Sequence, residues 1–145
     1  MKRLLGLDYG SKTVGVAVSD ALGMTVQPLE TIERKDENKL RQTLARISLL
    51  CADYDIQGIV CGLPYNMDGS EGLRAQKTRE FISLLEKRIS LPIILWDERL
   101  TSIEASEILN ETGVAKSEQK KFIDQVAAAL ILEDYIKEKG LTLNA

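Results

Sequence analysis

Arg3-Leu4-Leu5-Gly6-Leu7-Asp8-Tyr9-Gly10-Ser11-Lys12-Thr13-Val14-Gly15-Val16-Ala17-Val18-Ser19 carries two strand patterns joined by one short turn. Residues 3–9 are an apolar run that ends at Asp8, and Gly10-Ser11-Lys12 supplies the turn. Residues 13–19 are β-branched and glycine-containing, as suits a central strand. Gly23 marks a second turn, and Met24 to Glu33 reads as a third strand with Pro28 at an edge or bulge. Turns this short can only join antiparallel neighbours, so a three-stranded meander is predicted.

The period then changes. From Asp36 to Tyr54 the apolar residues Leu40, Leu44, Ile47, Leu50, Cys51 and Tyr54 recur at helical spacing, with Asp36 as the expected N-cap. Ile56 to Leu63 is a continuous apolar run, the mark of a strand buried on both faces. A Gly-, Asn- and Asp-rich loop covers 64–72, and a second helix carries Thr78, Phe81, Ile82, Leu85 and Ile89 on one side. Pro92 to Trp96 forms a last strand that ends at Asp97-Glu98. Thr101-Ser102-Ile103-Glu104 matches a capping box for a third helix that stops at Gly113. Ser117 opens a fourth helix reaching about Lys139, with Gly140 beyond it.

The order βββ-α-β-α-β-α-α predicts an α/β protein with a five-stranded mixed sheet: three antiparallel strands, then two αβ crossovers. Right-handed crossovers set the first strand beside the fourth and place helices on both faces. That is the ribonuclease H-like topology. No linker or repeat interrupts it, so residues 1–145 are expected to form one domain.

Composition narrows the chemistry. The chain has no histidine, which removes Ser-His-Asp and Cys-His catalysis and the usual zinc ligands. Proton transfer then falls to a carboxylate, a lysine or a metal-bound water. The net charge of −3 excludes an indiscriminate nucleic-acid coat but allows a nuclease, whose acidic metal site offsets basic residues elsewhere. Cys51 and Cys61, each among apolar residues, read as reduced core thiols of a cytoplasmic protein. The basic N-terminus meets Asp8 before any long apolar stretch, so neither a signal peptide nor a membrane span is expected.

Three acids stand out. Asp8 ends the first strand, where burial is costly without a partner or cation, although it could simply turn the chain into Gly10. Asp97 and Glu98 end the last strand, where ligands gather in parallel sheets, and adjacent residues point to opposite faces. At 100° per residue Asp124 falls within an apolar face made by Ile123, Ala127, Ala128, Leu130 and Ile131. A carboxylate there calls for a partner, either a basic residue of the sheet or a shared cation. Hard oxygen donors suit Mg²⁺ or Mn²⁺ and in-line hydrolysis of a phosphodiester.

Gly6-Leu7-Asp8-Tyr9-Gly10, Gly62-Leu63-Pro64 with Asn66-Met67-Asp68-Gly69-Ser70, Asp97-Glu98-Arg99-Leu100-Thr101-Ser102 and Asp124-Gln125-Val126-Ala127-Ala128 resemble, in order, the motifs of the YqgF/RuvX family. The resemblance implies a ribonuclease H-like nuclease related to RuvC resolvases, processing the 5′ end of pre-16S rRNA in ribosome biogenesis. Residue by residue it implies catalytic and metal-binding roles for Asp8, Glu98 and Asp124. RuvC-like enzymes take an acid from the end of the fourth strand, where this chain has Cys61-Gly62-Leu63-Pro64. The second acid must therefore come from the fifth strand; Glu98 is preferred for its reach, with Asp97 open.

Lys12, Arg99, Thr101, Arg74 and Asn66 are the expected nucleic-acid contacts, Asn66 together with Tyr65 against a splayed base. Lys77, Arg79, Lys116, Lys120 and Lys121 read mostly as solvated helix surface. The expected partner is an rRNA precursor, with a ribosomal particle as further context and a monomer or homodimer as the working state. The competing functions are a dimeric resolvase of four-way DNA junctions, an ATP-binding protein suggested by Asp8-Tyr9-Gly10, and a non-catalytic RNA-binding protein.

Overall fold

A computed structural model describes residues 3–98, 101–113 and 115–141, with the side chains of 101–104, 106, 116–118, 120 and 121 left aside. Its strands are β1 (Leu4–Tyr9), β2 (Thr13–Ser19), β3 (Val26–Glu33), β4 (Gly58–Leu63) and β5 (Ile93–Asp97). Its helices are α1 (Arg41–Asp53), α2 (Leu73–Glu86), α3 (Thr101–Glu111) and α4 (Lys116–Glu138). The sheet order is β3-β2-β1-β4-β5, antiparallel across β1–β2–β3 and parallel across β1–β4–β5.

Alternation along β1 explains the two layers. Leu5, Leu7 and Tyr9 face one way and join Ile59 and Cys61 of β4, Ile47 and Leu50 of α1, and Phe81 and Leu85 of α2 in the larger core. Leu4, Gly6 and Asp8 face the other way, where Leu4 and Val60 pack against Ile131, Leu132 and Ile136 of α4. All six residues of β4 are buried, as a strand covered on both faces should be. Both cysteines are buried and unpaired.

β3 is an edge strand. Its register with β2 slips between Val16 and Ala17, opposite Pro28, so the proline sits at an irregularity that needs no donated hydrogen bond. The strand begins at Val26 rather than Met24, because the Asp20 carboxylate accepts from the Met24 N–H and the Thr25 hydroxyl and holds both in the turn.

The largest departure from expectation is at α1. The helix starts at Arg41 with Leu40 at its N-cap, and Asp36 does not cap it. The Asp36 carboxylate instead accepts the Asn38 N–H at 2.9 Å, an Asx turn five residues upstream of the helix. Residues 34–40 are therefore a shaped connection and not a first turn of helix. At the end of α2, Ile89 is buried as expected but lies past the last helical residue. Gly113 and Gly140, with φ of +78° and +64°, end α3 and α4 as the sequence predicts. The capping-box side chains Thr101 to Glu104 lie outside the described residues.

Candidate active site

The carboxyl ends of β1, β4 and β5 lie at one end of the sheet, and the acids gather there on the α4 face. Asp8 is paired across β2 with Gly15. On its other side Leu7 pairs with Cys61, so Asp8 and Gly62 continue side by side. Asp8 thus stands between two glycines on neighbouring strands, which lie about 4.8 Å away on either side.

Each glycine makes room for another carboxylate. A Cβ on Gly62 would lie 2.7 Å from Glu98 Cδ and 2.8 Å from its Oε2. A Cβ on Gly15 would lie 2.8 Å from Asp124 Cβ and 1.9 Å from the Asp124 carbonyl oxygen. Glu98 therefore reaches back from beyond β5 to fill the space over β4, and α4 sets Asp124 down over β2. The end of β4, which carries Gly62 and no carboxylate, thus lies against the longer side chain of Glu98 from beyond the next strand.

Electrostatics couple the group. Burial pushes Asp8 up to about 6, helped by the Asp124 charge and opposed by the Glu98 hydrogen bond and Arg74. Burial, the Asp8 charge and the hydrogen bond to Asp8 push Glu98 up to about 9, with Arg74 again opposing. At neutral pH the Glu98 carboxyl therefore keeps its proton and donates it to the Asp8 carboxylate. Asp97 is exposed at the end of β5 and acts on Glu98 through its charge. The buried Cys61 thiol is pushed well above its ordinary value by burial and then by Glu98 and Asp8, so it stays protonated.

Thr13 was not singled out by the sequence. Its hydroxyl donates to Asp124 Oδ2 at 2.6 Å, fixing the half-buried helix carboxylate against the first residue of β2. Gly15 was not singled out either, and Gly62 entered only as part of a motif and not as room for another side chain, although glycine inside a strand is a signal for close approach.

The expected nucleic-acid contacts are distributed less tightly. Lys12 is exposed on the β1–β2 turn. Arg74, at the start of α2, lies over the Tyr9 ring and pairs with Glu37 at 2.5 Å. Asn66 Nδ2 donates to Ser70 Oγ at 3.0 Å and its amide lies against Gly72, so it organises the 64–72 loop. Tyr65 bridges Glu71 across the same loop. Lys77 and Arg79 pair with Glu80 and Glu71. Arg99 and the side chains of Thr101, Lys116, Lys120 and Lys121 lie outside the described residues.

No three acids among the described residues form a ready cage for a metal ion. The donors are nonetheless all hard carboxylate oxygens, which suit a divalent cation held by one or two carboxylates with water and phosphate completing its shell.

The mixed sheet, with its antiparallel meander and two parallel crossover strands, is of the ribonuclease H-like class. The chain belongs to the RuvX family: the family model, described as Holliday junction resolvase, matches residues 2–138. It is 53% identical over 137 residues to a protein of Lachnospira eligens, covering 94% of this chain and 98% of that one. It is 45% identical over 142 residues to a protein of Acetivibrio thermocellus, covering 97% and 99%. Both relatives are provisionally named pre-16S rRNA nucleases. Among solved structures it resembles Thermus thermophilus RuvC in complex with a Holliday junction substrate, with TM-score 0.56, 11% identity and 97% of both chains covered. The fowlpox virus Holliday junction resolvase matches at TM-score 0.56 and 12% identity, covering 94% of this chain and 99% of that one. At those identities the likeness is one of fold.

Proposed function

We propose that this chain, as one nuclease domain over residues 1–145, uses Mg²⁺ or Mn²⁺ to hydrolyse phosphodiester bonds near the 5′ end of the 16S rRNA precursor in the cytoplasm. The observation that carries this reading is the Asp8–Glu98 carboxyl pair, held between glycines at the carboxyl end of the sheet with Asp124 beside it. A proton shared by two carboxyls is a site prepared for a cation, because only an added positive charge lets both ionise. The names of the relatives favour the rRNA precursor as substrate.

Asp8 and Glu98 are the residues that would hold the ion, with Asp124 as a third donor. When bound, a divalent cation supplies positive charge to the scissile phosphate and acidifies the attacking water. With the ion bound, Glu98 would release to solvent the proton it donates to Asp8, so that both carboxylates could hold the ion. Thr13 donates to Oδ2 of Asp124, so that Oδ1 would be the oxygen left to hold the ion. The positive field of Arg74 favours the ionised form of both Asp8 and Glu98.

A substrate comparison tests this reading. The purified chain is incubated with single-stranded RNA bearing the precursor 5′ end, and separately with a four-way DNA junction, each with Mg²⁺, Mn²⁺ or EDTA. Metal-dependent cutting of the RNA is expected. Preferential symmetric cutting of the junction would assign the chain to resolution instead, and no cutting of either would overturn the nuclease reading.

A further inference from the structure

A cleft of about 820 Å³ opens within the connection from β3 to α1, lined among others by Glu33, Arg34, Lys35, Lys39 and Arg41. Four cations thus face one carboxylate, in a chain whose net charge is −3. The other acids of the segment turn elsewhere: Glu37 to Arg74, and Asp36 to the Asn38 N–H. Among the described residues Arg34, Lys35, Lys39 and Arg41 make no ion pair, whereas Arg46, Arg74, Lys77 and Arg79 each have one.

Arg34 ties the cleft to the acids. Its backbone N–H donates to Lys12 O at 2.8 Å, and its Nη2 donates to Gly10 O at 2.6 Å. Its guanidinium stands 4.7 Å from the ring centroid of Tyr9, the residue after Asp8. Arg34 Nη1 is a buried donor with no acceptor among the described residues. A buried guanidinium N–H without a partner is costly, and an anion in the cleft is the natural acceptor.

The acids lie on the α4 face of the sheet end, and the cleft lies beyond the β1–β2 turn at the start of α1. A ligand that touches both must bend around that turn, past the exposed Lys12. A single strand can do so, whereas a duplex resists such a bend, DNA having a persistence length of about 50 nm. We propose that this cleft binds backbone phosphates of a single-stranded stretch of RNA flanking the cut, a proposal that rests on the nuclease reading above.

The test is binding in EDTA, which keeps it apart from cleavage. Anisotropy of a labelled 20-nucleotide single-stranded RNA is measured across a salt series for the native chain and for Lys35→Ala/Lys39→Ala/Arg41→Ala. The three side chains are exposed, and a thermal melt verifies that the variant folds. The expected result is at least a tenfold loss of affinity, with the slope of log K against log salt reduced by about 2, since each lost phosphate contact removes about 0.7. Binding of a blunt duplex should change less than twofold. Unchanged single-strand affinity, an unchanged salt slope, or an equal loss for the duplex would overturn the proposal. Cleft-dependent RNA binding without metal-dependent cleavage by the native chain would overturn the nuclease reading alone.

Discussion

Gly15 lies directly beneath Asp124: a Cβ at position 15 would come within 1.9 Å of the Asp124 carbonyl oxygen. The obstruction is helix backbone, so no side-chain rotation relieves it. Gly15→Ala must therefore lift this part of α4 from the sheet and carry Asp124 away from Asp8. Overpacking of this kind costs about 2–3 kcal/mol, a fall in Tm on the order of 5–10 °C. Metal-dependent cleavage should fall by more than the loss of folded protein explains. Thermal melts run beside single-turnover cleavage check both parts.

Gly62→Ala makes an informative contrast. There the added carbon meets the movable ends of Ile131 and Glu98, at 2.6 and 2.7 Å. The backbone can stay, so stability should drop less than in Gly15→Ala, by about 1–2 kcal/mol. Glu98 must give up its place beside Asp8, and cleavage should drop at least tenfold. Equal effects of the two alanines on stability and on activity would argue against this geometry.

The carboxyl pair makes the metal-free protein sensitive to pH in a defined direction. Glu98 titrates near 4.5 when unfolded and near 9 in the folded chain, and Asp8 moves from 3.8 to about 6. Between those limits the folded state binds more protons than the unfolded one, so stability falls as pH rises. In EDTA the Tm should therefore decline between pH 5 and pH 9, and Glu98→Gln should flatten that decline. Saturating Mg²⁺ should raise Tm most at the alkaline end. A Tm in EDTA that rises over this range would contradict the coupling.

Thr13→Val keeps the shape of the side chain and removes its hydroxyl. Asp124 Oδ2 then loses a 2.6 Å hydrogen bond, worth roughly 1.5–3 kcal/mol to a charged acceptor. If Thr13 positions Asp124, kcat should fall about tenfold while KM for RNA changes little, and Thr13→Ser should restore much of the rate. A rise in KM alone would instead make Thr13 part of the substrate surface.

Much of this arrangement was legible in residue order. The alternation of Leu5, Leu7 and Tyr9 against Leu4, Gly6 and Asp8 names the two faces of β1, and the short turns impose the meander. Asp124 announced itself because a carboxylate within an apolar helical face is rare without a partner. Reach favoured Glu98 over Asp97, and the structure places Glu98 against Gly62 while Asp97 is exposed. Less legible was whatever depends on which strand lies under which side chain. Gly15 and Gly62 look alike to local propensity, yet each is set by a carboxylate arriving from a distant part of the chain. Asp36 has the chemistry of an N-cap, but its own Asx turn at Asn38 competed successfully for it. The cleft between β3 and α1 depends on that same boundary, since a helix begun at Asp36 would leave no connection to shape it.

In the proposed mechanism Asp8 and Glu98 together hold the ion needed to cut nucleic acid. The most direct test of this mechanism is the rate of Mg²⁺-dependent cleavage of precursor-end RNA by Asp8→Asn, with RNA binding in EDTA measured on the same samples. Cleavage should fall by at least about 100-fold, with binding within a factor of about two to three of the native chain. Cleavage by Asp8→Asn at the native rate would contradict it.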